Sequence, residues 1–231
     1  MKSNTLVKYN QALYRRLRLK LILLLKNYKI KFIKLFKRLF DIFLISITMP
    51  VTLPFLILVG VLIRLDSKGN VLFSQKRVGQ NGKLFDFYKF RSMYSNAEEV
   101  KKELENKNES SDGVIFKIKN DPRITRVGKY LRKYSIDELP QLYNVLIGDM
   151  TLVGPRPPVP KEVSLYKLKD HKRLEVTPGI TCLWQVSGRS DIPFNKQVLL
   201  DLEYIESSGT IYDLRILLRT IPAVVFGKGA Y

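Results

Sequence analysis

The chain has 231 residues, with 40 Lys and Arg against 21 Asp and Glu, for a formal net charge of +19. A single Cys and a single His exclude an intrachain disulfide framework, a thiolate metal cluster and a two-His metal site. Chemistry is therefore expected from Asp, Glu, Lys, Arg, Ser and Tyr, and the lone His171 is expected at the surface or at a helix cap.

Residues 1–40 carry twelve of the cations and no acid. Within 11–40, Leu17, Leu21, Leu24, Tyr28 and Phe32 recur at helical spacing among Lys and Arg. This predicts a basic amphipathic helix lying on anionic membrane lipids. A nucleic-acid-binding arm would have the same charge, but the apolar run that follows favours lipid, so no nucleic-acid partner is expected.

That run, residues 42–63, contains 22 residues without a charge. A straight helix of this length would cover roughly 33 Å, enough for a hydrocarbon core. Pro50, near its middle, removes a helical hydrogen bond and crowds the carbonyl of Ser46. Both flanks are basic, so both prefer the cytoplasmic side. The expectation is a re-entrant helix kinked at Pro50, with a kinked full span as the alternative. Thr48 and Thr52 are candidates to bond the carbonyls that the prolines release. The run starts too late and is too long for a cleavable signal peptide.

Next come two short strands, 71–74 and 84–90, joined by a turn in "GQNG". Phe85, Phe87, Tyr88 and Phe90 are expected to pack as strand core. Residues 95–112 read as a short exposed helix and a flexible loop. Helices are expected at about 124–133 and 137–146, and again in 196–226, where Arg215 and Arg219 should take the polar side of an interfacial helix.

The chemistry is expected in "YSIDELPQLYNVLIGDMTLVGPRP". Ser135 and Glu138 have capping-box spacing, and Asp137 with Glu138 could simply complement a helix N-terminus. The surrounding cations argue for more: Lys89 and Arg91 in "KFRSM", Arg123 and Arg126 in "DPRITR", Arg132, and Arg156 between Pro155 and Pro157. Prolines stiffen the backbone under Arg156, which suits bidentate recognition of phosphate. Adjacent acids amid arginines imply phosphate together with a divalent cation.

The segments "KRLFDIF", "QKRVGQNGKLFDFYKFRSM", "DPRITRVGKYLRKYSIDELPQLYNVLIGDMTLVGPRP", "TPGITCLWQVSGRS" and "GKGAY", in that order over about 35–231, resemble the bacterial sugar transferase family. These are monotopic polyprenyl-phosphate sugar-phosphate transferases. The resemblance implies transfer of hexose 1-phosphate from a UDP-sugar, glucose or galactose, to undecaprenyl phosphate. UMP is released and capsule or exopolysaccharide synthesis begins. Asp137 and Glu138 match the catalytic pair, with Asp137 as nucleophile and both acids as Mg²⁺ ligands. Arg132 and Arg156 match phosphate-binding arginines, and Lys89 and Arg91 match the KFR motif near substrate phosphate. The fold implied is α+β: a mostly helical membrane-associated domain with a small β element, a re-entrant helix hairpin and interfacial helices. The expected division is a basic arm at 1–38, a membrane helix at 39–66 and a catalytic domain at 67–231. The location implied is the cytoplasmic face of the bacterial inner membrane, and paired interfacial helices would allow a homodimer.

Two departures stand out. Cys182 replaces a glycine usual in relatives, which puts the local turn in question. Met49 precedes Pro50 where Ser is common. Trp184 is expected to be half-buried or at the lipid interface. The rival to catalysis is a basic membrane-anchored scaffold, which leaves the acid pair among phosphate-type arginines unexplained.

Overall fold

The computed structural model describes residues 2–104, 118 and 120–227. The later part of the helix-and-loop segment expected in 95–112 and the last residues of "GKGAY" lie outside these. Two compact units are present, 1–40 and 41–231.

Helix α1 runs Lys2–Asp66, with Pro50 and Pro54 inside it. It is the one described helix long and apolar enough to cross a membrane, by length and composition. The helix continues through both prolines, so the segment is not two helices joined by a loop. Thr48 Oγ1 donates to Leu44 O at 2.8 Å, and Thr52 Oγ1 donates to Thr48 O at 3.1 Å. These are ordinary back-bonds one turn down the helix. They do not go to the carbonyls of Ser46 and Pro50, which the two prolines leave without a donor, so that expected role fails.

After α1 come strands β1, Leu72–Val78, and β2, Leu84–Phe90. They pair antiparallel from Leu72 opposite Phe90 to Val78 opposite Leu84. The turn lies in 79–82, where Asn81 takes φ 56° and Gly82 φ 81°. Helices α2, Ala97–Glu103, and α3, Arg126–Lys133, follow, the latter capped by Thr125 Oγ1 accepting from Gly128 N. A 3₁₀ turn, Ile136–Glu138, leads into α4, Gln141–Ile147. A second sheet has no signal in the sequence: β3, Thr151–Val153, pairs in parallel with β4, Gly179–Thr181. Between them lie α5, Pro160–Val163, and a 3₁₀ segment, Leu168–Glu175. The tail is two helices, α6, Phe194–Ser207, and α7, Thr210–Phe226.

The pleat of β2 explains the core. Phe85 and Phe87 lie on one face and pack with Ile45, Val145 and Met150. Phe90 lies on the other face and packs with Val59, Ile63 and Leu131. Both ends of residues 41–66 are therefore fixed to the same body. At one end Asp41 Oδ2 accepts from Thr151 Oγ1 and from Leu152 N. At the other, Asp66 Oδ2 accepts from Val127 N at 3.0 Å. Between them Phe43, Ile47, Val51, Leu53, Ile57 and Leu58 are exposed.

A close backbone approach connects the two sequence motifs near the acids. A Cβ on Gly179 would sit 2.0 Å from Gly154 N, so only glycine fits there. The contact lets Gly154 N bond Thr181 O at 3.0 Å and Gly179 N bond Pro155 O at 2.9 Å. "VGPRP" and "TPGIT" are thereby stitched side by side.

Candidate active site

Asp137 and Glu138 occupy the 3₁₀ turn before α4, and Asp137 is buried. The capping box expected from Ser135 does not form. Ser135 is left-handed, at φ 52° and ψ 23°, and its side chain caps nothing. The Glu138 carboxylate turns instead toward cations. Lys89 Nζ lies 3.0 Å from its Oε1 and Arg156 Nη2 lies 2.8 Å from the same atom. Lys89 also approaches Asp137 Oδ2 at 3.9 Å.

Each of these cations is held from beneath. Pro155 and Pro157 are fully buried, which fixes the backbone that carries Arg156. Lys89 shares the odd-numbered face of β2 with Phe87. The Phe87 ring lies under three cations, with Arg77 at 5.1 Å, Lys89 at 5.4 Å and Arg156 at 6.0 Å from its centroid. A core phenylalanine thus offers its negative face to the charges of the site.

Electrostatics separate the two acids. Burial disfavours ionised Glu138, but Arg156 and Lys89 outweigh burial and hold its carboxyl well below the usual range. Burial raises Asp137 above the usual range; Lys89 opposes the rise and the negative Glu138 adds to it. Burial lowers Lys89, against the pull of Glu138, and lowers Arg77 to about 10. Glu138 is thus the committed ion-pair partner, and Asp137 is the carboxylate less tightly held.

The acids open onto a cavity of about 620 Å³. Among the described residues seven cations line it: Arg77, Lys89, Arg123, Arg132, Arg156, Arg173 and Arg189. Four described acids accompany them, Asp121, Asp137, Glu138 and Glu162. Arg123 is engaged by Asp121 at 2.6 Å, and Arg173 by Asp201 at 2.7 Å. Such a surplus of positive charge fits a polyanion such as a diphosphate.

The structure therefore brings Asp137, Glu138, Lys89, Arg132 and Arg156 together. Arg91 sits elsewhere. Its guanidinium donates to Ser67 O at 2.6 Å, Lys68 O at 2.8 Å and Ser67 Oγ at 2.9 Å, at the exit of α1. Lys89, near the end of β2, and Arg91, just past it, thus serve two ends of the domain. Arg77, Arg173, Arg189 and Gln185 were not singled out as site residues in the sequence, since an isolated Arg or Gln carries no local signal of the distant segments it will meet. Trp184 is buried against Cys182, Ile192 and Leu200 rather than half-buried, and it lines the cavity. Cys182 is buried and donates to Gln185 Oε1 at 3.0 Å. It is not among the residues of positive φ, so cysteine meets no backbone conflict at that position. His171 is exposed, edge-on to Tyr166.

Among the described residues no cluster of three acids, His or Cys could hold a metal alone. Mg²⁺ needs only one or two carboxylates when substrate phosphates supply further oxygens. Asp137 and Glu138 meet that need, although Glu138 Oε1 is already shared by two cations.

Known proteins bear on this arrangement. The chain is 52% identical over 163 residues to the galactosyl transferase CpsE of Streptococcus agalactiae, covering 70% of this chain and 36% of that protein. It is 39% identical over 198 residues to the exopolysaccharide production protein ExoY of Rhizobium meliloti, covering 84% of this chain and 88% of ExoY. It is 43% identical over 202 residues to the undecaprenyl-phosphate galactose phosphotransferase of Salmonella typhimurium, covering 84% of this chain and 41% of that protein. The chain thus spans well under half of two of these relatives and most of the third. The family model described as bacterial sugar transferase matches residues 32–227, a span that includes the acid pair, Lys89, Arg132 and Arg156, and the chain belongs to the bacterial sugar transferase family.

Proposed function

We propose that the chain transfers a hexose 1-phosphate from a UDP-hexose to undecaprenyl phosphate through a phosphosugar carried on Asp137. The observation that carries this reading is the asymmetry of the acid pair. Glu138 is neutralised by Lys89 and Arg156, while Asp137 faces the same cationic cavity with a single cation at 3.9 Å. Galactose is the favoured hexose, since the names of two relatives specify it.

In the first step an Asp137 carboxylate oxygen attacks the β-phosphorus. The bond from that phosphorus to the bridging oxygen breaks, and UMP leaves with the electron pair. Arg156, Arg132 and Lys89 stabilise the charge that builds on the phosphoryl oxygens. In the second step an oxygen of undecaprenyl phosphate attacks the acyl phosphate. The carboxylate is released, and the sugar departs on a lipid diphosphate. Splitting the exchange in this way replaces one difficult displacement by two easier ones. Mg²⁺, held by Asp137 and Glu138 with diphosphate oxygens, would lower the repulsion between substrate and nucleophile.

The proposed location is the cytoplasmic face of the inner membrane, with residues 42–63 entering and returning. Asp41 and Asp66 both bond the same folded body, and a spanning helix could touch that body at one end only. On α7, Ile211, Leu214, Leu218, Ile221 and Val225 are exposed at helical spacing, which supports an interfacial helix.

The test is covalent labelling. Detergent-solubilised protein incubated with Mg²⁺ and UDP-galactose labelled at the β-phosphate, without lipid, is expected to acquire label that hydroxylamine removes. Turnover with lipid phosphate but no adduct would replace this mechanism by direct attack of the lipid.

A further inference from the structure

Among the described residues other than glycine, three hold positive φ: Asn81, Ser135 and Arg189. Asn81 lies in the hairpin turn, where this geometry is routine. Ser135, at φ 52°, and Arg189, at φ 53°, lie 54 residues apart in sequence and meet beside the acids. Arg189 Nη2 donates to Ser135 Oγ at 3.1 Å, and its Nη1 donates to Lys133 O at 3.3 Å. Ser135 O in turn accepts from Glu138 N at 3.2 Å, so the left-handed residue opens the turn that carries both acids. A residue with a Cβ leaves the left-handed region unless its surroundings hold it there.

We propose that Arg189 is a positioning residue that clamps Ser135 in its left-handed conformation and thereby aims Asp137 at the substrate phosphorus. Arg189 is buried, and these two bonds engage both terminal nitrogens with the 133–135 segment. Its guanidinium is thereby tied to protein oxygens, although it lines the same cavity as Arg156. Arg156 differs in kind, since its bond goes to the acid pair itself. The inference rests on Asp137 being the nucleophile.

Glycine gives a specific test, because it takes the left-handed region without a clamp. The rate of covalent labelling by β-phosphate-labelled UDP-galactose is measured without lipid in four proteins: wild type, Arg189→Ala, Ser135→Gly and the double variant. Arg189→Ala is expected to label at least tenfold more slowly, with KM for UDP-galactose changed less than threefold. The double variant is expected to recover at least threefold over Arg189→Ala. Wild-type labelling by Arg189→Ala would overturn the proposal. So would a loss that glycine does not rescue, since Arg189 would then act on the substrate directly. If Arg189→Ala does not fold, Ser135→Ala decides: it should label at least fivefold more slowly than Ser135→Gly, and equal rates overturn the clamp. Absence of label in wild type is a separate failure, that of the nucleophile. Turnover with lipid phosphate then replaces labelling as the readout, and the same rescue by glycine is required.

Discussion

The cavity and the membrane segment invert the usual distribution of side chains. Around Asp137, buried positions hold charge: Asp137, Arg173, Arg189 and Asp201 are all nearly inaccessible. Along residues 42–63, exposed positions hold Phe, Ile, Leu and Val, and Val59 and Ile63 are among the few that are covered. Buried charge persists only when it is paired or has work to do, and exposed apolar surface on this scale implies a covering phase other than water. The two regions meet at β2, which puts Lys89 on the acids, while Arg91, just past its end, holds the exit of α1.

The comparison can be broken most sharply at Asp137. Asp137→Asn is expected to reduce covalent labelling below about one thousandth of wild type, roughly 4 kcal/mol of transition-state stabilisation. Thermal unfolding should change little, because the amide keeps the shape of the acid. Retained labelling would move the nucleophile elsewhere.

Arg156→Lys is expected to slow the reaction at least tenfold, about 1.4 kcal/mol. Lysine keeps the charge but loses the planar fork, which holds Glu138 through one nitrogen and leaves others for the proposed phosphate. A near-normal rate would leave Arg156 as a strut of the Pro-rich turn.

The pH dependence sharpens the electrostatic half. Burial raises the Asp137 carboxyl above its usual range, and Lys89 opposes the rise. The nucleophile must be ionised, so labelling should be lost as pH falls through the Asp137 pKa. Lys89→Met removes a cation that favours the ionised form, and the acid limb should move to higher pH. An unmoved limb would show that the limb belongs to another group.

Arg91→Ala tests the link between the regions. It leaves the carbonyls of Ser67 and Lys68 without that donor while sparing the acids. Lipid-dependent turnover is expected to fall about three- to tenfold, roughly 0.7–1.4 kcal/mol. Labelling by the soluble nucleotide-sugar should change less than twofold. Equal losses in both half-reactions would show that Arg91 supports the cavity as well.

The smallest effect concerns topology. With Cys182 buried, cysteines placed at Lys20 and Lys83, both exposed, report separately on the two flanks of 42–63. Neither should react with an impermeant reagent added to intact cells. Pro50→Ala restores a good helix former, worth about 3 kcal/mol in a helix interior, and is expected to expose a fraction of the Lys20 site. Reaction at Lys20 in the parent protein would establish a span.

Much of this was legible locally. Periodicity and turn chemistry located the β1–β2 hairpin and α3, because "GQNG" and the alternating phenylalanines encode their own geometry. Composition alone marked residues 42–63 as an uncharged apolar run long enough to cross a membrane. The adjacency of Asp137 and Glu138 is covalent, and Pro155 and Pro157 stiffen Arg156 wherever the loop goes. What depended on tertiary structure was every partnership between distant segments. Ser135 reads as an N-cap in isolation, yet Glu138 is drawn to Lys89 and Arg156 and the cap never forms. Lys89 and Arg91 look equivalent in "KFRSM", and only the packing of α1 against β2 sends one to the acids and the other to Ser67. The β3–β4 pair is three residues long on each side and depends on Gly154 meeting Gly179. A contact between backbones has no side-chain periodicity to announce it, so no reading along the chain could place it.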